Sequence, residues 1–141
     1  FAGLWDALGK PPRLLWAVAL ACAGAAADIF SELIYISVLP PLARAANRET
    51  FLAFEAAAFS GGCVLANGFY TLGLWLCALE LRAQQRANLA LDAAAAVTVC
   101  CGAAMSVAGL LMNAELLQIF TGPTILGFCA WGVLAARRVT P

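Results

Sequence analysis

The chain contains no histidine and few charged residues. The lack of histidine excludes His-ligated haem, most zinc catalysis and the Ser-His-Asp hydrolase class within this chain. Charged residues make up 11% and hydrophobic residues 64% of the sequence, whereas soluble domains carry about 25% charged residues. Eight Lys and Arg balance eight Asp and Glu, so no basic surface for nucleic acid is expected. This composition is typical of a membrane protein.

Four long apolar runs are predicted to cross a membrane. A helix needs about 20 mostly apolar residues to cross roughly 30 Å of hydrocarbon. The runs cover about residues 14–39, 56–79, 89–112 and 117–136. Residues 1–141 are therefore predicted to form one all-α domain, a polytopic bundle of four transmembrane helices.

Two short amphipathic segments are predicted to lie at the membrane surface. In the first, Phe1, Leu4, Trp5 and Leu8 have the spacing i, i+3, i+4, i+7, which places them on one face of a helix. The second segment is the connection between the first two spans, residues 40–55, where apolar and charged residues alternate. It is expected to be a separate surface helix on the outer side.

The positive charges predict the orientation of the chain. Cytoplasmic loops of membrane proteins carry an excess of Lys and Arg. Six of the eight cationic residues fall on one predicted side, and Arg44 and Arg48 fall on the other. Both termini are thus expected in the cytoplasm, and the small, alanine-rich chain suggests a bacterial inner membrane. The six are Lys10, Arg13, Arg82, Arg86, Arg137 and Arg138.

Small residues and cysteines are frequent in the spans. Small side chains let membrane helices approach closely, so we expect tight packing within the chain or against a partner. The six cysteines include no Cys-x-x-Cys pair and are interpreted as free structural thiols. The sequence predicts neither a metal site nor a cofactor.

Two acids, Asp28 and Glu32, lie within the first predicted span. Their spacing of four residues puts them on one helical face. Acids at membrane depth are costly and usually face the bundle interior, where they mark functional sites. At about 1.5 Å of rise per residue, four polar residues of other spans reach similar depths. The predicted intramembrane polar cluster is Asp28, Glu32, Asn67, Tyr70, Ser106 and Thr124.

Three states of the acids are open at this point. All Lys and Arg residues lie at or beyond span ends, so no cation of the chain is expected beside Asp28 and Glu32. In the first alternative one or both acids are protonated and donate a hydrogen bond to Asn67, to Ser106 or to a backbone carbonyl. In the second, they hold a bound proton or cation in a water-filled cavity. The third alternative is a pair with a basic group of another chain.

The sequence supports three hypotheses for function. The first is a non-enzymatic structural or accessory subunit that packs against partner membrane proteins through small-residue faces. The second is a proton-coupled small-cation transporter or channel that uses the intramembrane acids. The third is a membrane enzyme for a lipophilic substrate, although no catalytic nucleophile and base are recognisable. The expected partners are the lipid bilayer and other membrane subunits or further copies of the chain, and nucleic acid is not among them.

Overall fold

The structure is a computed structural model that describes residues 1–139. The chain is 88% helical and has no strand in these residues. Four helices in these residues are long and apolar enough to cross a membrane, which confirms the all-α class and the prediction of four long apolar helices. The helices are α1 (Ala2–Ala7), α2 (Pro12–Arg44), α3 (Arg48–Ala83), α4 (Leu89–Leu110) and α5 (Ala114–Val139).

The three turns between the long helices are built alike. Each contains a residue with positive φ, which ends one helix, and an asparagine whose side chain caps the next helix. The positive-φ residues are Ala46 (52°), Gln85 (57°) and Met112 (52°). The capping oxygens of Asn47, Asn88 and Asn113 accept from the backbone N–H groups of Thr50, Leu91 and Leu116 at 3.2, 2.9 and 3.0 Å.

The structure corrects the predicted surface helix at residues 40–55. These residues form the ends of α2 and α3, and only residues 45–47 lie between the two helices. Helix α2 continues through Pro40 and Pro41 because a π-helical segment, Ile34–Val38, precedes them. The α-helix restarts at Leu39, so both prolines fall in a first turn, where no N–H donor is required.

A second π-helical segment, Ser60–Ala66, interrupts α3 between the α-helical parts Arg48–Phe59 and Asn67–Ala83. Helix α5 also begins earlier than predicted and runs without a break through Pro123.

The apolar face of α1 packs against protein. Leu8 is buried in the main core cluster, and Phe1, Leu4 and Trp5 contact that cluster. The ring of Phe1 meets that of Phe128 edge to face, with centroids 6.3 Å apart. The face that was predicted to enter the membrane interface therefore covers one end of the bundle.

The long helices pack in chain order, α2 on α3, α3 on α4 and α4 on α5. Within residues 1–139, α5 makes no extended contact with α2 or α3. A small apolar cluster lies near the α2–α3 turn, and the main one lies at the end that holds the termini. The small cluster is Ile34, Leu39 and Ala58, and the main one is Leu8, Leu14, Ala17, Leu74, Cys77, Leu81, Leu91, Ala95, Trp131 and Ala135.

Two hydrogen bonds join segments at the end of the bundle that holds the termini. Gln84 Nε2 donates to the carbonyl oxygen of Leu8 at 3.2 Å, and Arg86 Nη1 donates to that of Arg138 at 3.4 Å. The six cationic residues that were predicted to share one side thus lie toward one end of the bundle, while Arg44 and Arg48 lie at the other.

Candidate functional site

Asp28 lies midway along α2, which extends from Pro12 to Arg44. Its Oδ2 accepts a hydrogen bond from the hydroxyl of Tyr70, on α3, at 3.1 Å. Gly24, one turn earlier, allows this approach, because a Cβ there would lie 2.9 Å from Cε1 of the Tyr70 ring. Because Gly24 of α2 has no side chain, Tyr70 of α3 can reach the half-buried carboxylate of Asp28.

No cation of residues 1–139 reaches Asp28. The three ion pairs in this part of the chain join Lys10 to Asp6, Arg13 to Glu80 and Arg82 to Asp92. The Tyr70 hydroxyl is the one hydrogen-bond partner of the Asp28 side chain in the described residues. Its other oxygen, Oδ1, lies beside Gly62, where a Cβ would be 3.7 Å away.

Glu32 does not join the predicted cluster. Its side chain is exposed, and it makes no hydrogen bond or ion pair within residues 1–139. The spacing of four residues predicted one shared helical face for Asp28 and Glu32. It did not show that Asp28 faces α3 while the Glu32 side chain stays exposed.

Asn67 and Ser106 form a second polar contact, between α3 and α4. The Asn67 Nδ2 group donates to the carbonyl oxygen of Gly102 at 2.6 Å and to Ser106 Oγ at 2.8 Å. Ser106 Oγ in turn donates to the carbonyl oxygen of Val64 at 3.4 Å. Val64 belongs to the π-helical segment Ser60–Ala66, so this segment contributes a backbone acceptor to the site.

A cavity of about 390 Å³ lies between α3, α4 and α5. Three residues of the predicted cluster, Asn67, Tyr70 and Thr124, line it. Tyr70 connects the two parts of the site, since its hydroxyl reaches Asp28 while the residue also lines the cavity. The other lining residues are Thr71, Thr98, Met105, Thr121, Ile125 and Phe128.

Sequence reasoning included Thr124 but missed the other cavity threonines, although a signal for two of them exists; the missed residues are Thr71, Thr98 and Thr121. Asn67, Tyr70 and Thr71 have the spacing i, i+3, i+4 on α3. Thr121 and Thr124 are three residues apart on α5, and both line the cavity. Polar residues that recur at helical spacing on two apolar helices of one bundle predict that these faces turn toward the interior.

Glu80 lies near the end of a predicted span, where its side chain is expected to reach water or headgroups. In the structure it is more buried than that. Its side chain is only 11% exposed and pairs with Arg13, with 3.3 Å between Arg13 Nη1 and Glu80 Oε2. Gln84 Nε2 donates to its other oxygen at 3.0 Å. Glu80 thus belongs to a packed polar contact between α2 and α3.

The six cysteines are free thiols. Residues 1–139 contain no group of three His, Cys, Asp or Glu side chains placed to hold a metal ion. No protein-family model matches the chain, and neither the curated proteins nor the solved structures include a match to it.

Proposed function

We propose that this protein is an integral membrane protein that carries a proton or a small cation, with Asp28 as the group that binds the charge. Its four long apolar helices support placement in a bilayer. Large apolar side chains also cover the outside of the bundle; Trp16 is 68% and Leu126 is 72% exposed. The observation that carries the proposal is a carboxylate at mid-helix that has a tyrosine hydroxyl as its partner and no cation.

The surroundings of Asp28 favour binding over a purely structural role. A protonated acid at this depth would need an acceptor for its own hydrogen. The side chains of Asn67 and Ser106, which were considered for that role, bond to each other and to backbone groups, and within residues 1–139 neither bonds to Asp28. An ionised Asp28 would instead need a positive charge from outside residues 1–139. A proton or cation that arrives and leaves supplies that positive charge.

The π-helical segment beside Asp28 supports the same proposal. Segments of this kind are frequent at functional sites. Irregular backbone at membrane depth is tolerated only where it lies within protein or lines a water-filled space. Gly62, the residue next to Asp28 Oδ1, lies within the segment Ser60–Ala66. The chain therefore carries irregular backbone beside its central carboxylate.

The first experiment compares Asp28→Asn with the unmodified chain in proteoliposomes that contain a pH-sensitive dye. We expect the unmodified chain to dissipate an imposed pH gradient, either alone or on addition of an organic ammonium salt. D28N should abolish this flux and still insert, because amide and carboxyl groups have the same shape. Glu115→Gln, an acid-to-amide change in the exposed first turn of α5, is the matched control. Equal flux through D28N and the unmodified chain would refute the proposal.

An accessory-subunit role is the second candidate, and free glycines on α5 favour it. A Cβ added at Gly122 or Gly132 would meet nothing within 4 Å, whereas a Cβ at Gly24 or Gly102 would collide with α3. Gly24 and Gly102 thus serve packing inside the chain, as does Gly127 of α5, whereas Gly122 and Gly132 of α5 are left for a partner helix.

Extraction of the native protein in mild detergent tests this second role. A subunit should copurify with a larger membrane complex and lose it on Gly122→Leu, while Gly3→Leu, also in open space but on α1, should not disturb it. Recovery of the native chain without a partner would rule the subunit role out.

A further inference from the structure

A groove of about 200 Å³ lies between α3 and α4, close to the turn that joins them. It shares no lining residue with the larger cavity between α3, α4 and α5. Its walls extend from Arg82 to Trp75 on α3 and from Asp92 to Cys100 on α4. The lining residues of each helix are three, four or one position apart, so the groove runs along the two helices.

The two ends of the groove differ in chemistry. Arg82 and Asp92 are its charged lining residues, and both lie at the end next to the α3–α4 turn. Trp75 lies at the other end, about 10 Å further along α3 at the rise of an α-helix, and the wall between them consists of alanine, leucine and valine side chains. The groove therefore suits a ligand with a charged end and an apolar chain.

The ion pair at the charged end leaves hydrogen-bonding groups unused. Arg82 Nε donates to Asp92 Oδ1 at 2.7 Å, which is the one hydrogen bond between these side chains. Within residues 1–139, the two Nη groups of Arg82 and Oδ2 of Asp92 have no hydrogen-bond partner. The Arg82 side chain is 58% and that of Asp92 is 29% exposed. Adjacent donors and an acceptor, of opposite charge, are thus accessible at the mouth of the groove.

The charged end lies at the level where lipid headgroups are expected. Arg82 lies within one turn of the end of the predicted span 56–79, and Asp92 lies within one turn of the start of the span 89–112. The headgroup layer begins where the hydrocarbon-spanning part of a helix ends. Trp75 lies inside its span, and 49% of its surface is exposed. The polarity of the groove therefore changes in the same direction as that of a bilayer leaflet.

We propose that this groove binds a zwitterionic phospholipid whose headgroup ends in a primary ammonium, of the phosphatidylethanolamine type. The phosphate accepts hydrogen bonds from the Nη groups of Arg82, since a guanidinium matches phosphate geometry. The ammonium donates to Oδ2 of Asp92, and one acyl chain follows the apolar wall toward Trp75. The inference rests on the bilayer placement in the proposed function and does not depend on transport through Asp28.

The headgroup decides which lipid is selected. An acyl chain gains little by leaving other lipid tails for the groove, because both surroundings are apolar. A choline headgroup has no N–H to donate to Asp92. A glycerol headgroup leaves the phosphate without a neighbouring positive charge of its own, so the Asp92 carboxylate repels it. The ethanolamine headgroup carries both charges, joined by a short bridge, as Arg82 and Asp92 do.

A lipid series with identical acyl chains tests the proposal on the unmodified protein. The purified chain in detergent is titrated with phosphatidylethanolamine, phosphatidylcholine, phosphatidylglycerol and diacylglycerol, and native mass spectrometry measures the affinity for the first bound lipid. We expect phosphatidylethanolamine to bind about fivefold more tightly than each of the others. Equal or tighter binding of any other lipid would overturn the proposal.

Asp92→Asn tests the role of the carboxylate. This variant should bind phosphatidylethanolamine and phosphatidylcholine equally, because the charge that distinguishes the two headgroups is removed. Glu49→Gln is the matched control, since Glu49 is also an acid in the first turn of a long helix but lies at the opposite end of the bundle. It should keep the preference of the unmodified chain. A preference that persists in D92N, or is lost in E49Q, would contradict the site.

Ala96→Leu tests the apolar part of the groove and keeps the ion pair. Ala96 is exposed and lines the groove, so a leucine there fills the space for the acyl chain and should abolish the preference for phosphatidylethanolamine. Ala93→Leu makes the same change at an exposed position of α4 that does not line the groove, and it should keep the preference. Circular dichroism checks that both variants are folded. Equal lipid preference in A96L and A93L would reject the groove as the site.

Bilayer placement and lipid selection can fail separately. Flotation of the unmodified chain with liposomes, after a carbonate wash, measures membrane insertion alone. A chain that fails to float with the liposomes would reject both the proposed function and the lipid site. A chain that inserts without preference among the headgroups would reject the lipid site and leave the proposed function to the D28N flux test.

Discussion

Adjacent glycines in the π-helical segment of α3 show how closely α2 and α3 approach. A Cβ at Gly61 would lie 2.5 Å from Oγ of Ser31, a distance that real side chains do not adopt. A Cβ at Gly62 would lie 3.7 Å from Asp28 Oδ1 and from Ser31, which is ordinary contact. Ser31 is buried, and its hydroxyl donates to the carbonyl oxygen of Ala27 at 2.8 Å. Gly61 is therefore required for packing, whereas Gly62 is not.

Gly61→Ala should destabilise the bundle, and Gly62→Ala should not. The added methyl of G61A must displace a buried serine and break its hydrogen bond, so we expect a loss of about 1–3 kcal/mol relative to G62A. Both changes alter helix propensity equally, which makes the difference between them a measure of packing. Thermal unfolding in detergent, followed by circular dichroism, provides the measurement. Equal melting temperatures would show that α2 and α3 are less close than in the structure.

The ends of α2 and α3 are joined by a polar contact close to the chain termini. Arg13, in the first turn of α2, meets Glu80, near the end of α3, at 3.3 Å. The Arg13 side chain is 46% exposed and that of Glu80 is 11% exposed. Because the carboxylate is covered and the guanidinium is not, loss of Arg13 would leave a buried negative charge with Gln84 as its remaining donor.

Arg13→Gln should therefore lower the free energy of unfolding by about 1–2 kcal/mol, less than for a fully buried pair because Arg13 is partly in solvent. Lys10→Gln removes the partner of Asp6 in a pair whose side chains are 61% and 74% exposed. It should change stability by no more than about 0.5 kcal/mol. Both variants are compared by denaturation in detergent at low and high salt. A larger effect for K10Q than for R13Q would show that the Glu80 contact is not formed.

The positively charged residues of the bundle lie at its two ends in unequal numbers. The α2–α3 turn is flanked by Arg44 and Arg48, while the other six cationic residues lie toward the end that holds the termini. Under the positive-inside tendency of membrane proteins, the termini are predicted to face the cytoplasm.

Cysteine labelling in intact cells that express the chain tests this orientation. An impermeant maleimide should label Glu49→Cys, which lies beside the α2–α3 turn, and should not label Ala83→Cys at the end of α3 until the cells are opened. Both positions are exposed on the surface of the bundle, and the unmodified chain measures the background from its six native thiols. The reverse labelling pattern would place the termini outside.

Composition and local pattern are enough to predict the helical class, the four long helices and the depth of the polar residues. Helix length and hydropathy are sums along the chain, and a rise of about 1.5 Å per residue converts position into depth. For this reason position along the spans alone groups five polar residues at similar depths, within about two helical turns: Asp28, Asn67, Tyr70, Ser106 and Thr124. The same counting places Glu32 with them, although its side chain is exposed.

The rotation of each helix about its axis depends on contacts between residues far apart in sequence. Gly24 admits the Tyr70 ring, and this contact turns Asp28 toward α3 and leaves Glu32 outside. The continuation of α2 past Pro40 likewise depends on a π-helical segment that no short motif in the sequence indicates. The direction in which each side chain points, its burial and the cavity all arise from packing between neighbouring helices. The sequence of one helix taken by itself does not contain this information.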